Sequence, residues 1–479
     1  MPTPRIQLLT QSQKVLIHER SLHILQQVGL RFNSQQALKI LADAGCEVDR
    51  EKGSAKIGRH AVEQALETLP SQFLLAARDP RHNIQCGGGE MYYTAAAQSP
   101  SFRDLDTRKR RPATTADLVQ CAHLVNALDL IHEWAAMVVP HDVPPVLSGL
   151  QALRVSLSHN TKHFLGGARE AELLPFVMEC FDALLGHRDR LREQPIFSAV
   201  INPVSPLGNE GSLVDATLSF APYQVPIFLQ FLPLAGATSP ASLAGTVLQE
   251  NAEFLGNMTL FQLASPGWPI IWASAAGVLD MRSGRWSEGP EHSIMQVALI
   301  EMARFYGVPS NAFGIASAID AKAIGFQSGM ETMMAGLVAG LAGVDNMWGP
   351  ADLDGSSLVD LPFILLVNEG VRQLNRLLEG MRVDGEHLLL KAIMEMRFRG
   401  DYLAHPSTKR FFRKEHLLPD LLPRESYEAW GARGQTEEEL AISRVREILE
   451  AFEPTPLPPE VEKEMDRVME AAYRQLVDK

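Results

Sequence analysis

The chain has 479 residues, 46% of them apolar and 21% charged, which leaves enough apolar surface to offset chain entropy and excludes a disordered protein. Its net charge of −13, from 44 Lys and Arg against 57 Asp and Glu, argues against the basic stripes of a nucleic-acid-binding surface. Residues 436–479 carry 12 acidic and 6 basic side chains; they read either as a solvated helical face or as a docking surface for a partner.

In chain order, the opening MPTPRIQLLTQSQK has no apolar core behind its basic residues, so no signal peptide is expected. Residues 12–70 read as helical. Val15, Leu16, Leu22, Leu25 and Val28 recur at helical spacing before Gly29, Ala37, Leu38, Ile40 and Leu41 follow before Gly45, and a third short helix, His60 to Leu69, stops at Pro70. From about residue 89 the pattern changes to short apolar runs: Met91–Ala97, Ile131–Val139, His163–Gly167, Ile196–Ile201, Pro226–Leu232, Pro269–Ser274, Ala312–Ser317 and Val344–Trp348. Between them lie helical stretches at Thr115–Leu128 (opened by a capping box, Thr114-x-x-Asp117), Ala171–Leu185, Ser242–Leu263, His292–Tyr306 and Gln327–Leu341. Eight runs in some 280 residues, each followed by a possible helix, predict an α/β fold, a (β/α)8 TIM barrel. The expected organisation is an N-terminal helical cap at 1–88, the barrel at 89–380 and a C-terminal helical extension at 381–479, with FEPTPLPP breaking the last two helices apart.

Several chemistries are absent as motifs. No GxxxxGK(S/T), GxGxxG after a strand, HExxH or GxSxG occurs. Cys46, Cys86, Cys121 and Cys180 form no CxxC pair, which makes disulfides and a Cys-rich zinc site improbable. The longest apolar stretch, Met333 to Val344, has 12 residues and three glycines, short of the ~18–20 that span a bilayer. The chain reads as soluble and cytoplasmic, with no membrane partner and no metal.

A barrel places its site where the strands end. Those ends carry Gln98, His141 and Asp142, Arg169, Asn202, Gln230, Trp272 and Ser274, Asp320 and Lys322, then Trp348 with Asp352 and Asp354 in the loop after it. The set is rich in amides and aromatics and poor in nucleophiles. Trp272 and Trp348, with Phe231 and Tyr93 as possible neighbours, could present faces to a cation, each worth ~0.5–2 kcal/mol; barrel packing is the alternative for each. His141 suits polar binding better than general base catalysis, since no partner carboxylate is visible. Gln327 and Glu331 lie one helical turn apart and can face the barrel mouth together, or solvent.

Several blocks resemble the trimethylamine methyltransferase family of corrinoid-linked enzymes. They are ILQQVGLRFNSQQALKILADAGCEVD near the start, then RDP at 78–80, RDLDTRKRRPATTADL, VVPHDVPP, TKHFLGG, TSPASLAGTVLQENAE at 238–253, IDAKAIGFQSGME at 319–331 and GDYLAHPSTKRFFRKEHLLP, followed by Tyr427-x-x-Trp430. The family's archetype carries pyrrolysine in its barrel, whereas this chain has only ordinary residues. It also reads IDAK where TDSK is commoner, and His141 where a glutamine is frequent. The resemblance implies a methyltransferase that moves a methyl group from a quaternary amine, as glycine betaine methyltransferase does, to the Co(I) corrinoid (cobalamin) of a separate corrinoid protein. Without DxHxxG in this chain, no cofactor is expected to be bound here; a homo-oligomer is implied. The expected substrate-binding set is His141, Asn202, Gln230, Trp272, Gln327, Glu331 and Trp348, with no catalytic residue assigned. Alternatives are another methylated donor such as a sulfonium, or a non-catalytic betaine-binding protein.

Overall fold

The computed structural model describes residues 6–166, 171–350, 352–398 and 400–478. Eight parallel strands close into a barrel in chain order. They are β1 (Tyr92–Ala95), β2 (Glu133–Ala135), β3 (His163–Gly166), β4 (Phe197–Ile201), β5 (Ile227–Phe231), β6 (Ile270–Ser274), β7 (Ser310–Phe313) and β8 (Asn346–Trp348). Seven overlap the apolar runs closely. The seventh is displaced: it begins at polar Ser310 and ends at Phe313, because Ile315, Ala316 and Ala318 beyond it are buried under the mouth loops rather than in the sheet.

The connecting helices start and stop where their sequences dictate. The Thr114–Asp117 capping box forms at the head of Thr115–Ala127, and left-handed Gly307 and Gly343 end Pro290–Tyr306 and Phe326–Ala342. Within the latter helix, Gly336 and Gly340 admit Ile315 and the leucines of Leu361–Glu379 at close range; a Cβ on Gly340 would lie 2.8 Å from Leu378 Cδ1.

The N-terminal segment is not purely helical. Gln11–Gln27, Gln35–Asp43 and Arg59–Thr68 pack on the 22-residue helix Leu243–Ala264, but an antiparallel sheet of Leu30–Arg31, Ser54–Lys56 and Glu47–Asp49 joins them. Strands of two or three residues carry no legible periodicity. A hairpin, Phe73–Leu75 with Ile84–Cys86, closes the N-terminal end of the barrel by packing against Tyr92, Phe228 and Ile271 inside it.

The acidic tail docks on its own barrel. Glu437–Ala451 packs on Leu361–Glu379, and Pro459–Leu476 packs on Leu174–Leu185, burying Ala441, Val445, Met465, Val468 and Ala472 completely. Its charges lie on the outward faces, apart from pairs such as Glu438–Arg108 and Asp466–Arg154. The intervening residues 381–433 behave differently, leaving Leu390, Phe398 and Leu403 exposed. Among the described residues, no helix is long and apolar enough to cross a membrane.

Candidate active site

Strand alternation sorts the side chains into two sets. Tyr92, Ala135, Leu165, Phe228, Ile271, Phe313 and Trp348 face the lumen, while Tyr93, Trp134, Ile270, Trp272, Ala312 and Met347 face the helices. At the C-terminal end the lumen opens into a cavity of about 390 Å³, within the range of small-molecule sites. Trp348 and Phe313 form an aromatic wall, their ring centres 4.8 Å apart, and Phe228 lies beneath at 6.2 Å from Trp348. Gln98, Asn202, Gln230, Ser317 and Ser356 supply polar atoms, and Ala96, Ala135, Leu165 and Val200 complete the floor. Asn202 Nδ2 donates to Gln230 Oε1 at 2.7 Å. None of the described lining residues is ionisable.

The mouth is held by crossing loops under backbone strain. Six non-glycine residues in the loops after β1, β7 and β8 have positive φ: Gln98, Arg108, Ala316, Ala318, Asp354 and Ser356. Such residues cost energy and cluster where function requires them. Gly349, with φ of 115°, passes Ile315 so closely that a Cβ would lie 1.6 Å from its carbonyl oxygen. Asp354 gathers Arg110 at 2.8 Å, Arg285 at 3.0 Å and Lys322 at 3.6 Å, joining loops from four strands. Burial pushes its carboxyl up, but Arg110 and Arg285 outweigh this and hold it below the usual range. Nearby, burial lifts Asp352 to about 7. Burial also lifts Glu288, aided by Asp352, Asp320 and Glu331.

The structure brings together three of the seven expected residues: Asn202, Gln230 and Trp348. Trp272 is a correction. It lies between inward Ile271 and Ala273, so it points out of the barrel, stacks on Phe254 at 4.0 Å with 2° between the rings, and donates to buried Glu250 at 3.0 Å. Its suggested neighbours also face outward: Phe231 meets Phe254, and the Tyr93 hydroxyl donates to Asn375 at 2.6 Å. His141 is exposed outside the cavity wall, its backbone N–H on Ala113 O at 2.8 Å. Gln327 and Glu331 do face one another, at 2.7 Å, but Glu331 accepts the Ala321 N–H at 3.1 Å and ties the helix to its preceding loop. Neither lines the cavity. Arg169 lies outside the described residues.

Sequence reasoning missed Phe313 and a polar belt one layer below the cavity: Thr94, Glu133, His163, Ser198, Asn311 and Asn346, all buried. A signal existed. Parallel strands buried on both faces are normally near-continuous apolar runs, so a polar residue at an inward position of six strands that are neighbours around the barrel is a departure worth reading. Among the described residues, no three His, Cys, Asp or Glu side chains converge as a metal site.

The sequence matches the trimethylamine methyltransferase (MTTB) family across residues 1–475. The chain belongs to that family. It is 30% identical to a glycine betaine methyltransferase of Desulfitobacterium hafniense, covering 96% of both chains. It is 28% identical to a trimethylamine methyltransferase of the same species, covering 95% of this chain and 91% of that one. The fold resembles the solved monomethylamine methyltransferase of Methanosarcina barkeri, with a TM-score of 0.53 at 12% identity over 92% of this chain and 93% of that one. The protein is a methyltransferase on a TIM barrel, and its family's methyl chemistry is to be read against the cavity at the strand ends.

Proposed function

We propose that the methyl donor is a quaternary amine of betaine type and that the acceptor is the Co(I) corrinoid of a separate protein reaching the barrel mouth. The observation that carries this reading is the cavity wall itself: two aromatic faces, Trp348 and Phe313, opposite amides, with no ionisable side chain among the described lining residues. Aromatic faces attract a quaternary ammonium without hydrogen bonds. Asn202 and Gln98 can donate to the carboxylate at the other end of a betaine, and Gln230 orients Asn202.

The reaction suits such a wall. The acceptor's Co(I) attacks the methyl carbon in line, the C–N bond breaks with its electron pair on nitrogen, and a neutral tertiary amine leaves. A nitrogen that is already quaternary needs no acid to become a leaving group, so the wall's task is to orient the donor and exclude water. Because the positive charge on nitrogen disappears during transfer, a complete aromatic cage would favour the bound donor over the transition state. One indole and one phenyl face hold the cation on one side only.

The test mixes the purified protein with a reduced corrinoid protein and follows methyl-Co(III) by its visible spectrum. Glycine betaine, other trimethylammonio carboxylates, trimethylamine and a dimethylsulfonio carboxylate form the panel. Methylation with a quaternary amine and none with trimethylamine is expected. Turnover of only the tertiary amine or only the sulfonium would overturn the reading.

A further inference from the structure

The belt under the cavity is organised by strand register. Thr94, Glu133, His163, Ser198, Asn311 and Asn346 each stand two residues before a lining residue of the same strand or its extension: Ala96, Ala135, Leu165, Val200, Phe313 and Trp348. Two residues of strand span about 6.6 Å, so the belt lies one side-chain layer beneath the floor. Its hydrogen bonds converge on one carboxylate. Glu133 Oε2 accepts from Thr94 Oγ1 at 2.5 Å and Asn346 Nδ2 at 3.1 Å, and Asn346 Oδ1 accepts from Asn311 Nδ2 at 2.6 Å. The other oxygen, Oε1, is buried with no hydrogen-bond partner among the described residues and stands 3.6 Å from His163 Nε2.

His163 is neutral and its tautomer follows from its neighbours. Nδ1 lies 2.6 Å from the Ala76 carbonyl, so it donates there, and Nε2 accepts from Ser198 Oγ at 2.7 Å. Burial lowers its pKa to about 4. An ionised Glu133 would therefore face a neutral imidazole; the bonds from Thr94 and Asn346 favour the carboxylate, but burial outweighs them and raises its pKa to about 7. The other titratable groups around it are Cys86 of the floor hairpin, whose thiol is pushed up by burial, Asp345 and Glu133, and Asp345 itself, which accepts from Ser310. His132 and Lys162 are engaged outside the lumen, with Tyr93 and with three carbonyls of the preceding segment.

We propose that Glu133 is a positioning residue that supplies a switchable counter-charge: it ionises beneath the floor when a quaternary ammonium enters the cavity, and is protonated when the cavity holds a neutral amine. This rests on the quaternary-amine reading above. A cation about one layer away favours the carboxylate, so binding releases one proton. Methyl transfer then neutralises the nitrogen and removes the partner of the buried charge. The carboxylate takes up one proton before the next turnover. The site so holds cationic donor more tightly than neutral product without placing an acid in the wall.

The experiment compares binding of glycine betaine with that of 3,3-dimethylbutanoate, its isostere with carbon in place of the cationic nitrogen, by calorimetry of wild type and Glu133→Gln. The glutamine can keep the bonds from Thr94 and Asn346 and mimics the protonated acid. Wild-type affinity for betaine should rise roughly tenfold between pH 6 and 8, with proton release visible as a dependence on buffer ionisation enthalpy. Glu133→Gln should weaken betaine by roughly tenfold at pH 8, abolish the proton release, and leave the neutral isostere within about twofold. Equal weakening of both ligands would make Glu133 merely structural and overturn the proposal, as would wild-type betaine binding without proton release. The latter needs no variant to fold. Wild type binding the isostere but not betaine would instead remove the quaternary-amine reading, and this inference with it.

Discussion

Strands β6 and β8 each carry a tryptophan, Trp272 at the middle of the one and Trp348 at the C-terminal end of the other, and the two indoles face opposite ways. Trp272 of β6 is 1% exposed, pinned between Phe254 and Glu250 in the layer between barrel and helix. Trp348 of β8 looks into the cavity, with its indole N–H unpartnered among the described residues and its face beside Phe313. The same side chain is cement in one strand and, in the function proposed here, recognition surface in the other, and the difference is strand phase. A residue on an inward position faces the lumen; a shift of one residue sends it to the helices.

The largest expected effect is on the cement. Trp272→Ala removes the stack on Phe254 and strands the carboxyl of Glu250, which then keeps only Ser274 Oγ at 3.0 Å. It should lose about 3–5 kcal/mol of stability in urea unfolding, while the folded fraction binds donor normally. Trp272→Phe keeps a stacked ring and loses one buried hydrogen bond, for about 1–3 kcal/mol. Donor binding that tracks these losses would show β6 and β8 to be alike after all.

Trp348→Leu inverts the pattern. It should raise the donor dissociation constant roughly tenfold, the equivalent of about 1.4 kcal/mol and within the range of one aromatic–cation contact plus lost packing. Unfolding should move less than for Trp272→Ala, because one side of the indole faces empty space. A Trp348 variant that loses stability but not affinity would return the residue to barrel packing.

Trp348 lines the cavity and Trp272 does not, and the sequence treats the two alike. The eight runs, the caps and the barrel are legible because strand and helix periods differ, and because parallel strands need a helix between them. Phase inside a strand buried on both faces is not legible from apolarity: Ile271, Trp272 and Ala273 are equally apolar. Gln230 could be found because an amide in an apolar run has few places to go but the lumen, and Asn202 because it stands directly after such a run. Phe313 could not, since its run appeared to start two residues later than the strand does. His163 opens its run and Glu133 stands third in its own, close enough to the start that a polar residue reads as a boundary.

Asp354 gives a smaller effect that concerns how β8's loop is held over the cavity. Its folded-state pKa is depressed, so its contribution is present above the ordinary carboxylate value and is lost only as pH falls through the lowered one. The clamp is therefore intact at neutral pH, and Asp354→Asn should break it there. Partly exposed ion pairs are individually weak, so a fall in donor kcat/KM of roughly twofold to fivefold is expected, with Trp348 still able to bind. No change would mean that Gly349 and the strained residues hold the loop unaided.

The smallest effect expected is at His141, beyond the end of β2. Its backbone is held by Ala113, its neighbour Asp142 accepts from Thr115 N at 2.8 Å, and its imidazole is exposed away from the cavity wall. A side chain that neither fills the lumen nor orients an amide has no route to the donor, so His141→Ala should leave donor binding within about twofold, as ordinary surface substitutions do. The measurement separates two surfaces: the donor dissociation constant reads the cavity, and kcat/KM for the corrinoid protein reads the rim. A loss confined to the second would place His141 under the docked acceptor and leave the contrast between β6 and β8 intact. A tenfold loss in the first would mean that the site extends past the strand ends, so that inward phase alone does not decide which residues meet the ligand.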